Sequence, residues 1–129
     1  MRILRGNVVS GVGNFGYWID KLREHYHRKT NLWLFPGTLN VELGEPYELP
    51  RSRMRLEAAE YGGEVSVTIV ACEILGHKAV ILRTDKADAQ AETRRIIEVA
   101  CEVKLRDRYG LRDGDAVEVR VGKECGIDG

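Results

Sequence analysis

The chain has 129 residues, 43% of them hydrophobic, and its 20 Lys and Arg balance its 20 Asp and Glu to a formal charge of zero. That length holds one domain rather than two comfortable ones, and the balanced charge argues against a dedicated nucleic-acid binder, which shows a basic excess or stripe. No apolar run reaches membrane-spanning length and no hydrophobic signal core follows Met1, so the chain reads as cytoplasmic with no membrane partner.

Residues Ile3 to Val9 predict a first strand, with Gly6 as a possible bulge. Ser10 to Gly16 is glycine-rich; such a turn between strand and helix can aim backbone N–H groups at an anion, and it is also what any tight loop looks like. From Tyr17 to His27 the spacing is helical, with Trp18, Leu22 and Tyr26 aligned and Ile19 beside them. His25 and His27 are two apart, diverge on a helix and read as surface residues.

Leu34 to Leu43 is the stretch around which the chain is organised. Pro36-Gly37 breaks an apolar run and permits a sharp entry into a strand. Leu39, Val41 and Leu43 then fall on one face, with Thr38, Asn40 and Glu42 on the other. Thr38 and Asn40 thus present a hydroxyl and an amide oxygen on one side. Neutral oxygens of this kind suit magnesium, which keeps most of its waters and takes its negative charge from substrate phosphates; they are equally what a solvent-facing strand carries.

Arg51, Arg53 and Arg55 alternate, on a solvated strand edge or facing phosphates. Tyr61 to Glu64 reads as a hairpin-type turn, Val65 to Leu75 as a strand, Gly76-His77-Lys78 as a second turn and Ala79 to Leu82 as a buried strand. Arg83 to Gln90 reads as a loop or short helix. Ala91 to Ala100 has helical spacing, with Ile96, Ile97 and Ala100 inward. Val103 to Leu111 reads as a short helix stopped by Gly110, Arg112 to Asp115 as a turn and Ala116 to Val121 as the last strand. The result is a mostly β barrel with appended helices, one domain over 1–122 and a tail over 123–129. Cys72, Cys101 and Cys125 are unpaired in sequence and read as reduced structural thiols.

Common machinery is missing. There is no Walker-type phosphate loop, no protein-kinase signature, no Gly-x-Ser-x-Gly, no Cys-x-x-Cys and no His-Glu-x-x-His. What remains follows another pattern. Val8-Val9-Ser10-Gly11-Val12-Gly13, the aromatic pair Tyr17-Trp18, Pro36-Gly37-Thr38-Leu39-Asn40, Glu98-Val99-Ala100, Lys104-Leu105-Arg106 and Leu111-Arg112-Asp113-Gly114-Asp115 fall in one order. In that order they resemble the archaeal CTP-dependent riboflavin kinases from Asn7 to Val121.

The resemblance implies a compact six-stranded cradle-loop (RIFT-type) β-barrel that transfers a phosphoryl group from CTP to the 5′-hydroxyl of riboflavin, giving FMN and CDP. By carry-over, Thr38 and Asn40 would hold Mg2+. Gly11, Val12, Gly13, Asn14, Phe15 and Gly16, with Val103, Lys104, Leu105 and Arg106, would surround CTP, and Arg106 would offer a cation. Thr84 and Glu98 would touch the flavin, and the protein would be a monomer that binds no nucleic acid. The general base is not assigned. Departures from the family pattern lie at Asn14 and Phe15, where the family loop has Gly-Glu-Gly, and at Glu102, which replaces a proline near the expected nucleotide site. The stretch between Thr84 and Glu98 is also longer than the family's. These departures motivate two alternatives, a kinase with altered donor or acceptor and a non-catalytic flavin- or nucleotide-binding module.

Overall fold

The computed structural model describes residues 2–11, 14–90 and 93–122; the expected tail over 123–129, Cys125, Val12 and Gly13 lie outside them. Among the described residues seven strands form: β1 (Arg2–Val9), β2 (Leu39–Leu43), β3 (Met54–Leu56), β4 (Val67–Ile74), β5 (His77–Thr84), β6 (Ile96–Cys101) and β7 (Ala116–Val121). Four short helices accompany them: α1 (Phe15–Lys21), α2 (Arg23–Thr30), α3 (Asp85–Asp88) and α4 (Leu105–Tyr109). The hydrogen-bonded order β4-β5-β6-β2-β1-β7 closes where β7 returns to β4 through Cys72↔Val121, Glu73↔Arg120 and Ile74↔Val119. All pairings are antiparallel, so this is a closed six-stranded barrel. β3 shares the same edge of β4 farther down, at Val67 to Ile69, and stands outside the closed ring.

Period-two alternation sorts the residues into two cores. Leu39, Val41 and Leu43 of β2 point inside the barrel with Ile97, Val99 and Cys101 of β6, Ile81 of β5, and Val117, Val119 and Val121 of β7. The opposite faces of β4, β5 and β6 carry Val67, Ile69, Val80, Leu82 and Ala100, and these are covered by Phe15, Ile19, Leu22 and Tyr26 from α1 and α2. The helix expected from Tyr17 to His27 is therefore two helices meeting at Leu22, and its apolar stripe is the one that seals this outer wall.

Three expectations change. The helix expected from Ala91 to Ala100, of which Ala91 and Glu92 lie outside the described residues, gives way over Ile96 to Cys101 to β6, paired with β2 on one edge and β5 on the other. Ile96, Ile97 and Ala100 do fall at helical spacing, but Ile97, Val99 and Cys101 also keep a period of two. A slot open on both edges and β-branched side chains decide for the strand. Gly6 is no bulge; it pairs in continuous register with Leu43 and Val117, and a Cβ there would meet the Glu42 carbonyl oxygen at 2.4 Å. The turn after β4 is Leu75-Gly76, with both φ angles positive at 50° and 80°, and His77 already opens β5. The loop or short helix expected after Arg83 contains α3, capped by the Thr84 hydroxyl.

Candidate functional site

β2 sends Asn40 out of the barrel, and its register neighbours are Val9 on β1 and Glu98 on β6. Thr38, just before the strand, shares that face. The result is a compact polar cluster on an otherwise apolar wall. The Thr38 hydroxyl donates to Glu98 Oε1 at 2.9 Å and lies 3.4 Å from the Asn40 amide. Asn40 satisfies both of its ends when its nitrogen donates to Glu98 Oε1 at 3.3 Å and its oxygen accepts the Gly11 N–H at 3.0 Å. Burial pushes the Glu98 carboxyl above its ordinary pKa, partly offset by the Thr38 hydrogen bond.

The glycine loop is clamped onto this motif at both ends. A Cβ on Gly11 would lie 1.4 Å from the Asn40 amide, and one on Gly16 would lie 2.9 Å from the Pro36 carbonyl oxygen. A side chain at Gly11 would push the Asn40 amide aside, whereas one at Gly16 would press on backbone that cannot give. Phe15, expected in the nucleotide loop, is buried under the helices, and with Asn14 it lines a different cleft.

Val103, Lys104, Leu105 and Arg106 lie beside Thr38: together with Phe35, Gly37 and Cys101 they line a cavity of about 60 Å3. Arg106 is ion-paired. It donates to Asp113 Oδ1 at 2.5 Å, while Ser10 donates to Asp113 Oδ2 at 2.6 Å. Asp113 thereby ties the entry of the glycine loop to the start of α4, and those two hydrogen bonds hold its carboxyl below the usual range. Glu102, expected near the nucleotide, instead accepts the Trp33 N–H at 3.0 Å. With the Phe35 N–H donating to the Cys101 carbonyl at 2.7 Å, it fixes the segment that leads into Pro36. Trp33 stacks on His27 at 3.8 Å. Arg55 is held by Asp85 at 2.9 Å and by Glu57 at 3.1 Å.

Thr84 lies apart from Glu98. Its hydroxyl accepts the Ala87 N–H at 3.1 Å as the cap of α3, and the residue lines a cleft of about 500 Å3 between the helices and the end of β4. Trp18, Tyr26 and Tyr61 supply its aromatic walls. Sequence reasoning took Tyr26 as core alone. It is 1% exposed, yet its hydroxyl has no hydrogen-bond partner. The period that buries the ring says nothing of where its oxygen ends. Neighbouring Arg83 is buried, donating to the Tyr47 carbonyl at 2.6 Å and the Arg94 carbonyl at 3.2 Å.

Against known proteins, the family described as CTP-dep_RFKase (Domain of unknown function DUF120) matches residues 8–121. Similar proteins include a riboflavin kinase of Methanocella arvoryzae, 37% identical over 91% of this chain and 56% of its own length. Another is a riboflavin kinase of Methanosarcina acetivorans, 33% identical over 98% of this chain and 56% of its own. A riboflavin kinase of Archaeoglobus fulgidus is 35% identical over 92% and 54%. The chain thus spans little more than half the length of these relatives.

Proposed function

The chain belongs to the CTP-dep_RFKase family, and from that membership we propose that it transfers a phosphoryl group from CTP to the 5′-hydroxyl of riboflavin, releasing FMN and CDP. The observation that carries this reading is the meeting of Thr38, Asn40 and Glu98 on one spot of the outer wall, beside the Gly11 N–H. Phosphoryl transfer asks the protein mainly for position and charge neutralisation.

Magnesium fits the donor set here: a hydroxyl, an amide oxygen and one carboxylate, all hard oxygens. Among the described residues no group of three His, Cys, Asp or Glu offers an all-protein cage instead. Thr38 and Asn40 are the residues that would hold the ion, and when bound it would neutralise phosphate charge. Glu98 orients the flavin's terminal hydroxyl and accepts its proton, a role favoured by a carboxylate whose burial makes it more basic. Thr84 accepts a hydrogen bond from α3 and keeps its own O–H proton to donate to the flavin. The segment from Val103 to Arg106, with the Gly11 loop, brackets CTP, and Asp113 holds the two in register through Arg106 and Ser10. The protein would work in the cytoplasm as a monomer. No helix of the described residues is long and apolar enough to cross a membrane.

The test is a riboflavin-to-FMN assay with CTP, UTP, GTP and ATP in parallel, each with and without magnesium. FMN formed with CTP, only when magnesium is present, is the expected result. FMN formed with another nucleotide alone would move the donor choice away from CTP. No FMN from any donor overturns the reading and leaves a binding module.

A further inference from the structure

Glu102 stands where the family pattern has proline, directly before Val103. β2 and β6 run antiparallel as far as Leu39↔Val99. Past the kink at Pro36-Gly37-Thr38 the contact resumes, with the Phe35 N–H donating to the Cys101 carbonyl at 2.7 Å. In an antiparallel ladder every second N–H faces the partner strand, so the next donor is Trp33, and its acceptor in register would be the carbonyl of Val103. But β6 ends at Cys101, and the Val103 carbonyl turns back to accept the Cys101 thiol at 3.3 Å. Glu102 Oε2 accepts the Trp33 N–H instead, at 3.0 Å. A side chain thus supplies the acceptor that the strand no longer offers, and its charge makes the bond stronger than a neutral pair.

The Trp33 ring ties the same residue to α2: it stacks on His27 at 3.8 Å with the planes 8° apart, and the Arg23 guanidinium lies 5.0 Å from its centroid. From Trp33 to the polar cluster the chain has little slack. The Gly37 N–H donates to the Phe35 carbonyl at 2.8 Å, closing a tight turn over Pro36, and Thr38 follows with its hydroxyl on Glu98. Phe35, Gly37 and Thr38 also line the cavity of about 60 Å3 that Val103 to Arg106 line with them. A shift at Trp33 is therefore passed through one turn to Thr38 and to that cavity. We propose that Glu102 is a positioning residue for the phosphoryl transfer. Through the Trp33 N–H it sets the segment from Trp33 to Thr38 against β6, and so the spacing between Thr38 and the Val103 to Arg106 segment that brackets the nucleotide. This rests on the riboflavin kinase reading and adds to it a residue on which the nucleotide end of the site depends.

The test compares the wild-type chain with Glu102→Ala, which removes the acceptor, and Glu102→Gln, which keeps an acceptor oxygen without the charge. Amide hydrogen exchange at Trp33 and Phe35 reads the anchor itself. KM for CTP, KM for riboflavin and the magnesium concentration at half-maximal rate read its consequence. In Glu102→Ala the Trp33 amide should exchange about fivefold faster. KM for CTP and the magnesium midpoint should rise by a similar factor, while KM for riboflavin stays. Glu102→Gln should return all of these to near wild-type values. A glutamate of structural value alone would lower the melting temperature in Glu102→Ala and leave KM for CTP and the magnesium midpoint unmoved; that result overturns the proposal and leaves the kinase reading standing. A Glu102→Gln variant as impaired as Glu102→Ala, or one with a KM for CTP below that of the wild type, also overturns it, because the charge and not the acceptor would then matter. If the wild type forms no FMN with any donor, the kinase reading falls and the role of Glu102 falls with it.

Discussion

Asn40 has two ways to sit, differing only in which end of its amide faces Glu98. With nitrogen toward Glu98 Oε1 and oxygen toward the Gly11 N–H, both ends of the amide are paired within the protein. Turned over, the amide would bring oxygens of Thr38, Asn40 and Glu98 together, with only the Thr38 hydroxyl proton between them, an arrangement that a bound cation would favour. One side chain thus links the proposed metal position to the glycine loop. Gly11→Ala tests that link, because its Cβ would fall 1.4 Å from the amide and displace Asn40 from the cluster. The expected loss of turnover is about a hundredfold, with an unchanged circular dichroism spectrum; near-wild-type turnover would mean that Asn40 has no such part. Glu98 gives a pH signature. Its folded pKa is raised by burial, so the proton-accepting form is lost, as pH falls, at a higher pH than for an ordinary carboxylate. Turnover should therefore decline on the acid side beginning above the usual carboxylate range. Glu98→Gln should be slow with that acid limb removed, and a limb that survives the substitution would assign it to another group.

At the scale of elements, the hairpin between β4 and β5 turns through Leu75-Gly76, where both φ angles are positive. Gly76 adopts this freely, whereas Leu75 pays about 1 kcal/mol for a left-handed backbone and leaves its side chain 42% exposed. Leu75→Asn should stabilise the protein by about 1 kcal/mol, read as a shift in urea midpoint with unchanged slope, and should not alter turnover. The turn was legible in sequence to within one residue, because Gly76 marks it but nothing marks a leucine in that conformation. β2 and β7 were legible because their alternation is clean and their neighbours are turns. β6 was not, since Ile96-Ile97-Glu98-Val99-Ala100 satisfies both periods and only its two strand partners choose between them. The same limit governs the site. Thr38 and Asn40 share a face by spacing alone, but the meeting with Glu98 depends on β2 lying beside β6, sixty residues away. Phe15 shows the reverse case, for its place in a loop motif concealed that its ring packs under the helices.

For the molecule as a whole, the barrel's closure makes site and scaffold one body. β2, β5 and β6, which carry Asn40, Thr84 and Glu98, are adjacent staves, and their inner faces are the same core that β7 completes by returning to β4. Every group in the proposed site comes from residues within 11–106, and Asp113 braces them from the β7 side. The chain spans 56% of the Methanocella arvoryzae relative, and this arrangement predicts that the 129-residue chain by itself carries out turnover. Ile81 tests whether site and barrel fail together. It is fully buried in the interior, at 0% exposure, midway along β5 and two positions from Arg83. Ile81→Ala removes methyl groups from a closed space that relaxes poorly, with an expected cost of about 2–5 kcal/mol. Because Asn40, Thr84 and Glu98 stand on these staves, the variant in the absence of denaturant should keep most of its turnover, and in urea its turnover and its circular dichroism should be lost in one transition shifted to lower concentration. Turnover lost well before the strand signal would mean that the glycine loop and helices open as a separate unit above an intact barrel, and the clamp of Gly11 and Gly16 on the Pro36 to Asn40 motif would then be weaker than their close contacts imply.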